Sequence, residues 1–320
     1  MSAIWFSSEP CPDEYNAHQD YVSEVQDSIR KEGLPHMERI GFIGTGKVGT
    51  AFGVRLAQAG FPVVGAMDIL PDESQRFAAS IGGCKVYETA QELADAMDFV
   101  FVTTPDDVIG QVAKAVRWTK GQTVIHCSGA NSTAVLAPAR EAGCNVGCMH
   151  PCNTFASVQQ SLENLVGSTF TLEAEEPVVI DLKSFVESLK GRWMTLHEED
   201  KALYHASVCI ACNFLYTLVD IASDLWKNFD ISQNDAVQAM MPILKGTLNN
   251  IENVGFPACL TGPIARGDVG TIEKHLAALQ EKQPDMVPMY KALGLRTIPM
   301  GLAKGTLSQE KAAELRELMS

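Results

Sequence analysis

The sequence predicts an α/β protein: an N-terminal Rossmann-type sheet, doubly wound and mostly parallel, followed by an all-α C-terminal domain. Three observations carry that prediction. Ile40, Phe42 and Ile43 form a short apolar run that leads directly into Gly44-Thr-Gly-Lys-Val-Gly49, after which Val48, Ala51, Phe52, Leu56 and Ala59 recur at helical spacing until Gly60. Apolar strand-like runs then alternate with helical segments as far as His197. Beyond His197 the periodicity is helical throughout.

The first observation has a chemical meaning. In G-x-G-x-x-G the glycine at 44 permits a tight turn, the one at 46 lets backbone approach a pyrophosphate, and the one at 49 lets the helix pack against its strand. Gly44, Thr45, Gly46, Lys47, Val48 and Gly49 are therefore the expected diphosphate loop, with the N–H groups and dipole of the helix start holding the anion. A second apolar run over 62–67 ends in Asp68, 19 residues beyond Gly49, where a carboxylate would accept hydrogen bonds from adenosine ribose hydroxyls. The competing reading is that Asp68 only opens the turn through Pro71.

Further elements follow in order. A helix is expected over 72–80 and a short strand over 85–87. Thr89-x-x-Glu92 resembles a capping box for the next helix. Residues 98–103 read as a central strand, followed by a helix to Val116 and strands over 122–126 and 145–149. In an open parallel sheet ligands sit at the carboxyl ends of strands, which puts Thr103, Thr104, Pro105, Ser128, Gly129 and His150 near the nicotinamide end of a dinucleotide. Strands over 168–172 and 192–196 flank a helix from about 178 to 190 and extend the sheet. After His197 a long helix is expected from Glu198 to about Lys227, with Leu203, Ala206, Ile210, Phe214, Thr217 and Leu218 on its apolar face. Ser232-x-x-Asp235 opens another helix running towards Asn253, kinked at Pro242. The polar, glycine-rich stretch over 255–268 is expected to lie outside the core, and three shorter helices finish the chain. The expected divisions are an N-terminal helical extension (1–37), a dinucleotide-binding domain (38–197) and a helical substrate and dimerisation domain (198–320). In the extension, Tyr15, Val22, Val25 and Ile29 share one face.

Composition excludes several classes. A net charge of −14 over 320 residues, with no basic stretch to offset it, argues against nucleic acid as a partner. No apolar run approaches the span of a membrane helix, and Glu9, Asp13 and Glu14 stand where a signal peptide would be basic and then apolar, so a cytoplasmic protein without a membrane partner is expected. Nine cysteines in such a chain read as reduced thiols. Cys144, Cys148, His150 and Cys152 crowd together, and Cys209-x-x-Cys212 follows, but strand alternation would scatter the first group and helical packing would bury the second; no metal is expected.

Three stretches, Gly147-Cys-Met-His-Pro-Cys-Asn-Thr-Phe155, Lys201-Ala-Leu-Tyr-His205 with Asn213, and Leu260-Thr-Gly-Pro-Ile-Ala-Arg-Gly-Asp268, resemble a family of Rossmann-like oxidoreductases with a helical C-terminal domain of unknown function. That family is related to the 6-phosphogluconate and 3-hydroxyisobutyrate dehydrogenases and to the ketopantoate and pyrroline-carboxylate reductases. The resemblance runs from about Glu38 to the C-terminus, and Thr-Gly-Pro-x-x-Arg-Gly-Asp is its most specific part. It implies an NAD(P)-dependent oxidoreductase and a homodimer with helical domains packed near the cleft; the substrate stays open. Many relatives place Ser and Arg where this chain has Asp68 and Ile69. An aspartate there would repel a 2′-phosphate, so NAD is favoured over NADP.

Hydride transfer to a carbonyl or imine needs a proton donor, and the reverse needs the same group as base. The related hydroxyacid dehydrogenases use a lysine on the first long helix of the second domain with an asparagine near it, and Lys201, His205 and Asn213 match that arrangement in kind. Lys201 is the first choice and His205 the second; a solvated lysine after Glu198, Glu199 and Asp200, and a histidine merely satisfied in a helix interface, are the alternatives. His150, fixed ahead of Pro151, either faces the cleft or only holds its loop. Arg266 is a candidate clamp for a substrate carboxylate, helped by Thr261 and the Gly262 N–H, unless it only pairs with Asp268 or a subunit partner. The expected activity is hydride transfer between nicotinamide and a small carboxylate-bearing hydroxy or oxo substrate, with a CH–OH group as donor. The alternatives are an imine reductase of the pyrroline-carboxylate type and a non-catalytic NAD(H)-binding regulatory protein.

Overall fold

The computed structural model describes residues 39–320, which fall into two compact units, one ending at Ile210 and the other running from Ala211 to Ser320. The helix expected ahead of Met37 lies outside the described residues.

The first unit alternates strand and helix in chain order: β1 (Ile40–Ile43), α1 (Lys47–Gln58), β2 (Val63–Met67), α2 (Pro71–Ala79), β3 (Lys85–Val86), α3 (Ala90–Ala96), β4 (Phe99–Val102), α4 (Asp106–Ala115), β5 (Thr123–His126), α5 (Ala137–Glu141), β6 (Asn145–Pro151), α6 (Val158–Leu165), β7 (Thr169–Ala174), α7 (Val178–Ser188), β8 (Arg192–Thr195) and α8 (Lys201–Ala211). The strands form one sheet in the order β3-β2-β1-β4-β5-β6-β7-β8. Strand pairing is parallel except between β6 and β7. From β1 the chain winds first one way, to β2 and β3, and then the other way from β4 outward. That reversal opens a crevice at the carboxyl ends of β1 and β4.

Strand alternation sends residues to two cores. On one face Phe42, Phe52, Phe99, Phe101, Phe170 and Phe185 are almost fully buried, and Phe42 stacks on Phe101 with ring centroids 4.8 Å apart. Val100, Val102 and Val124 face the other core with Leu93, Ile109 and Leu136. The expected capping box is present at α3, where Thr89 Oγ1 accepts from Glu92 N–H at 3.1 Å and the Glu92 carboxylate accepts from Thr89 N–H at 3.2 Å.

Helix α8 is turned differently from the sequence reading. Its inward side is Lys201, buried, with Tyr204, His205, Val208 and Cys209 half-buried, while Leu203 and Ile210 are 76% and 62% exposed. The reason is that the part of the sheet beneath α8 is itself polar, as the site geometry below shows.

The second unit is all helix: α9 (Asn213–Asp224), α10 (Gln233–Val254), α11 (Pro263–Arg266), α12 (Val269–Lys282), α13 (Val287–Lys304) and α14 (Gln309–Met319). Its core is Ile272, Ile298, Leu307, Ala312, Leu315 and Met319. The single long helix expected after Glu198 is interrupted at Cys212, where ψ is −66°, so α8 and α9 are separate elements. Helix α10 starts at the Ser232 cap and runs on through Pro242. Within the stretch over 255–268 expected to lie outside the core, one turn of helix, α11, buries Ala265.

The helical stretch Glu198–Phe229, 32 residues, is long and apolar enough by length and composition to cross a membrane, where the sequence reading finds no such run.

Candidate functional site

At the switch point Gly44 has φ +92°, and a Cβ there would fall 2.8 Å from Thr104 N. A Cβ on Gly49 would fall 2.4 Å from Gly44 O and 2.6 Å from Thr103 Oγ1, so β1, α1 and the end of β4 close up only because both residues are glycine. Thr103 Oγ1 donates to Gly44 O at 2.5 Å and ties the two strand ends together. Gly46 differs: an added Cβ would meet nothing within 4 Å. It precedes α1 with no side-chain cap and no acidic residue in the first turn, and both it and Lys47 are exposed. Open space before uncapped helix N–H groups fits a phosphate. Thr104 Oγ1, next to this crevice, is buried with no hydrogen-bond partner among the described residues, and a bound polar group can supply one.

Asp68 lies at the end of β2 as expected, and the structure gives its carboxylate a task the sequence does not disclose. Oδ2 accepts from Thr45 N–H at 2.6 Å and from Thr45 Oγ1 at 3.2 Å, while Oδ1 accepts from Leu70 N–H at 3.0 Å. Thr45 is fully buried, and its N–H is committed to Asp68.

The second cluster grows from strand register. Pairing sets His126 beside Cys148 and Cys148 beside Glu173, so β5, β6 and β7 present a polar row on one sheet face, with His150 and Thr171 forming the next row. Lys201, 2% exposed, reaches this row from the start of α8. Its Nζ donates to Cys148 Sγ at 2.8 Å and to Ser128 O at 3.3 Å, and pairs with Glu173 Oε2 at 3.5 Å. An ammonium so deeply buried is tolerable only because it is compensated in this way. Glu173 is held in turn by Thr133, whose N–H and Oγ1 donate to Oε1 at 2.9 and 2.8 Å.

This environment sets the titration of its neighbours. Burial, then the Lys201 cation, pushes His126 down to about 3 and His150 down to about 4, His205 adding to the effect on His150. Ser128 N–H donates to His126 Nδ1 at 3.1 Å, so the ring proton is on Nε2, facing Ser132 O at 3.2 Å. Burial pushes the Cys148 thiol up to about 11 against the pull of Lys201, and raises the Tyr204 phenol well above its ordinary range. His150 Nδ1 and Tyr204 Oη are 3.0 Å apart. Gly129 lies against two imidazoles at once: a Cβ there would fall 2.7 Å from His150 Nε2 and 2.7 Å from His205 Cδ2. Ser128 Oγ bonds Asp106 Oδ2 at 2.7 Å and accepts from the N–H groups of Ala130 and Asn131, which fixes the turn carrying Gly129.

Of the residues singled out by sequence, the first unit thus brings together Lys201, His205, His150, Ser128 and Gly129, and separately the loop over 44–49 with Asp68, Thr103 and Thr104. Pro105 is exposed at the head of α4. Asn213, exposed, opens α9 in the second unit, beyond the interruption at Cys212, so it does not continue the Lys201–His205 helix. Thr261, Gly262 and Arg266 also belong to the second unit. Gly262 has φ +98°, and Arg266, 65% exposed, is a loose 4.0 Å from Asp268. Asp268 itself caps α12 through Thr271 N–H at 3.1 Å. Glu173, Tyr204, Thr133 and His126 are not singled out as site residues by the sequence, although Tyr204 lies in the Lys201–His205 stretch and His126 ends an expected strand. The expected strand stopped at Leu172; carrying it two residues further would have set Glu173 in step with Thr171 on a covered strand. Among the described residues no group of three or more His, Cys, Asp or Glu side chains is placed to hold a metal ion.

With this geometry in view, comparison with known proteins defines the class. Residues 25–151 match the family model of a Rossmann-like domain, and residues 168–297 match that of a domain of unknown function, DUF2520. The chain carries a Rossmann-like domain followed by a DUF2520 domain. No curated protein sequence matches it. Among solved structures it is similar to a Thermotoga maritima protein (22% identity, TM-score 0.67, covering 83% of this chain and 99% of that one). It is also similar to a Bacteroides fragilis protein assigned as an NADP oxidoreductase (20%, 0.65, 82% and 98%). A third similar structure is the Plasmodium falciparum pyrroline carboxylate reductase with NADP bound (14%, 0.55, 88% and 98%). At these identities the likeness establishes the fold.

Proposed function

We propose that this chain is an oxidoreductase that binds a nicotinamide dinucleotide, which supplies or accepts a hydride when bound, and that its substrate is a small carboxylate-bearing hydroxy or oxo compound. The observation that carries this reading is the uncapped start of α1 behind Gly46, set at the switch point of the sheet. In it, Gly46, Lys47 and Val48 receive the diphosphate, and Thr103, Thr104, Ser128 and Gly129 line the carboxyl ends of β4 and β5. His205 and His150 flank Gly129 and are the groups placed to pass a proton or to hold an oxygen there; His150, neutral at physiological pH, serves as a hydrogen-bonding imidazole. Lys201 has its Nζ engaged by Ser128, Cys148 and Glu173, so we assign it the local charge. On the second unit taken by itself, Arg266 with Thr261 and Gly262 is our candidate site for an anionic group, and a copy of the same chain is our candidate partner.

NAD is the proposed cofactor, because the Asp68 carboxylate disfavours a 2′-phosphate. Two of the three similar structures are named for NADP, so the choice is put to test by following nicotinamide fluorescence as NADH or NADPH is added to wild type and to Asp68→Asn. Asparagine keeps an acceptor for Thr45 N–H and removes the charge. Preference for NADH in wild type, eroded in the variant, is expected; preference for NADPH in wild type would sink the Asp68 argument, and binding of neither would sink the oxidoreductase reading. The pyrroline carboxylate reductase among the similar structures favours imine reduction as the second reading. Oxoacids with and without ammonia, alongside cyclic imines, separate the two.

A further inference from the structure

Glu173 stands where the sheet changes direction, on β7, paired antiparallel to β6 and opposite Cys148. Its carboxylate is divided between two tasks. Oε1 is taken by Thr133 N–H and Oγ1, and Thr133 Oγ1 also accepts from Arg140 Nη2 at 2.9 Å. Oε2 is buried with no hydrogen-bond partner among the described residues and is compensated by the Lys201 ammonium at 3.5 Å. We propose that Glu173 is a positioning residue: acting through Lys201, it fixes the Ser128–Gly129 turn against the imidazoles of His150 and His205.

Arg140 holds Thr133, Thr133 anchors Glu173, Glu173 fixes the direction of the ammonium, and the ammonium holds Ser128 O at 3.3 Å and Cys148 Sγ at 2.8 Å. Ser128 is one residue from Gly129, whose Cα is packed so closely on both rings that no Cβ fits. A shift of a few tenths of an ångström in Ser128 O therefore moves Gly129 relative to the imidazoles, and small misplacements at a reacting centre are costly. The titratable groups around His150 are Lys201, Tyr204 and His205 on α8 and Cys148, His126 and Glu173 on the strands. Of these, Lys201 is the cation that weighs most on the ring.

This inference rests on the oxidoreductase reading, and its test keeps the two apart. The variants are Glu173→Gln, Lys201→Met and their combination, followed by thermal unfolding, by NMR titration of the histidine rings and by hydride transfer. Each single variant leaves a buried charge uncompensated and should unfold at lower temperature, and the combination should regain most of that loss. Hydride transfer at saturating dinucleotide should stay down on the order of 100-fold in Glu173→Gln and in the combination. In Lys201→Met the His150 ring should titrate at higher pH than in wild type, and in Glu173→Gln the His150 and His205 ring signals should move. Recovery of activity together with stability in the combination would show a structural role only and overturn the proposal. Unmoved ring signals in Glu173→Gln would overturn it as well. Should wild type reduce no carbonyl or imine, the oxidoreductase reading fails by itself, and the ring signals still decide whether Glu173 positions His150.

Discussion

His126 and His150 show how a buried cation disciplines its neighbours. Burial, with the charge of Lys201 adding to it, holds both neutral, to about 3 and about 4 against an ordinary 6.5. Above 6.5 neither folded nor unfolded chain protonates them. As pH falls from 6.5 towards about 4 the unfolded chain binds protons that the folded chain refuses, so stability is lost across that window. The expected loss is roughly 1.4 kcal/mol per pH unit for each ring, read from denaturant midpoints at about pH 7.5 and about pH 5. Equal midpoints would contradict the neutral rings. Asp68 makes a different point at the same scale: one carboxylate serves as a candidate for ribose recognition and as the acceptor for a buried N–H of the glycine loop. Substitutions there report on both, which is why the charge-removing Asp68→Asn is preferred to truncation.

Among the elements, α1 is defined by what it lacks. Gly49 has a neighbouring carbonyl, Gly44 O, 2.4 Å from where a Cβ would stand, and a carbonyl of the backbone cannot rotate away as a side chain can. Gly49→Ala should therefore push α1 off β1, lowering stability by about 1–3 kcal/mol and weakening dinucleotide binding together. Calorimetry and cofactor titration on one sample check it; a variant that binds normally would show that α1 tolerates the shift. Helix α8 teaches the opposite lesson. Its pattern of Leu203, Ala206 and Ile210 reads as a buried stripe, yet the buried side carries Lys201, Tyr204 and His205 because the strands beneath it offer His126, Cys148 and Glu173.

For the whole molecule, the exposed apolar side chains call for a cover. Leu203 and Ile210 on α8 are exposed in the first unit. Phe214, Tyr216 and Leu218 on α9 and Ile243, Leu248, Ile251 and Val254 on α10 are exposed in the second. Apolar faces of this extent mark interaction surfaces, and a second copy of this chain is our proposed cover. Ile210→Glu combined with Phe214→Glu should convert a dimer to monomer, measured by light scattering after size-exclusion chromatography. A wild-type monomer at micromolar concentration would remove the proposal.

What the sequence determined by itself is everything that rests on local pattern: the strand–glycine–helix unit from Ile40 to Gln58, the capping box at Thr89, the Ser232 cap, the strands from β1 to β8 within a few residues, and the change to helix alone in the C-terminal part. Such features depend on residues a few positions apart, so a linear reading reaches them. What only the tertiary structure decided are relations between distant residues. The antiparallel register of β7 on β6 sets Glu173 beside Cys148, and burial of Lys201 then turns α8 so that its apolar side faces outward. The chain could not announce this. A charged residue inside is stable only with a partner from another strand, and that partner is fixed by register and compensation across space rather than by spacing along the sequence.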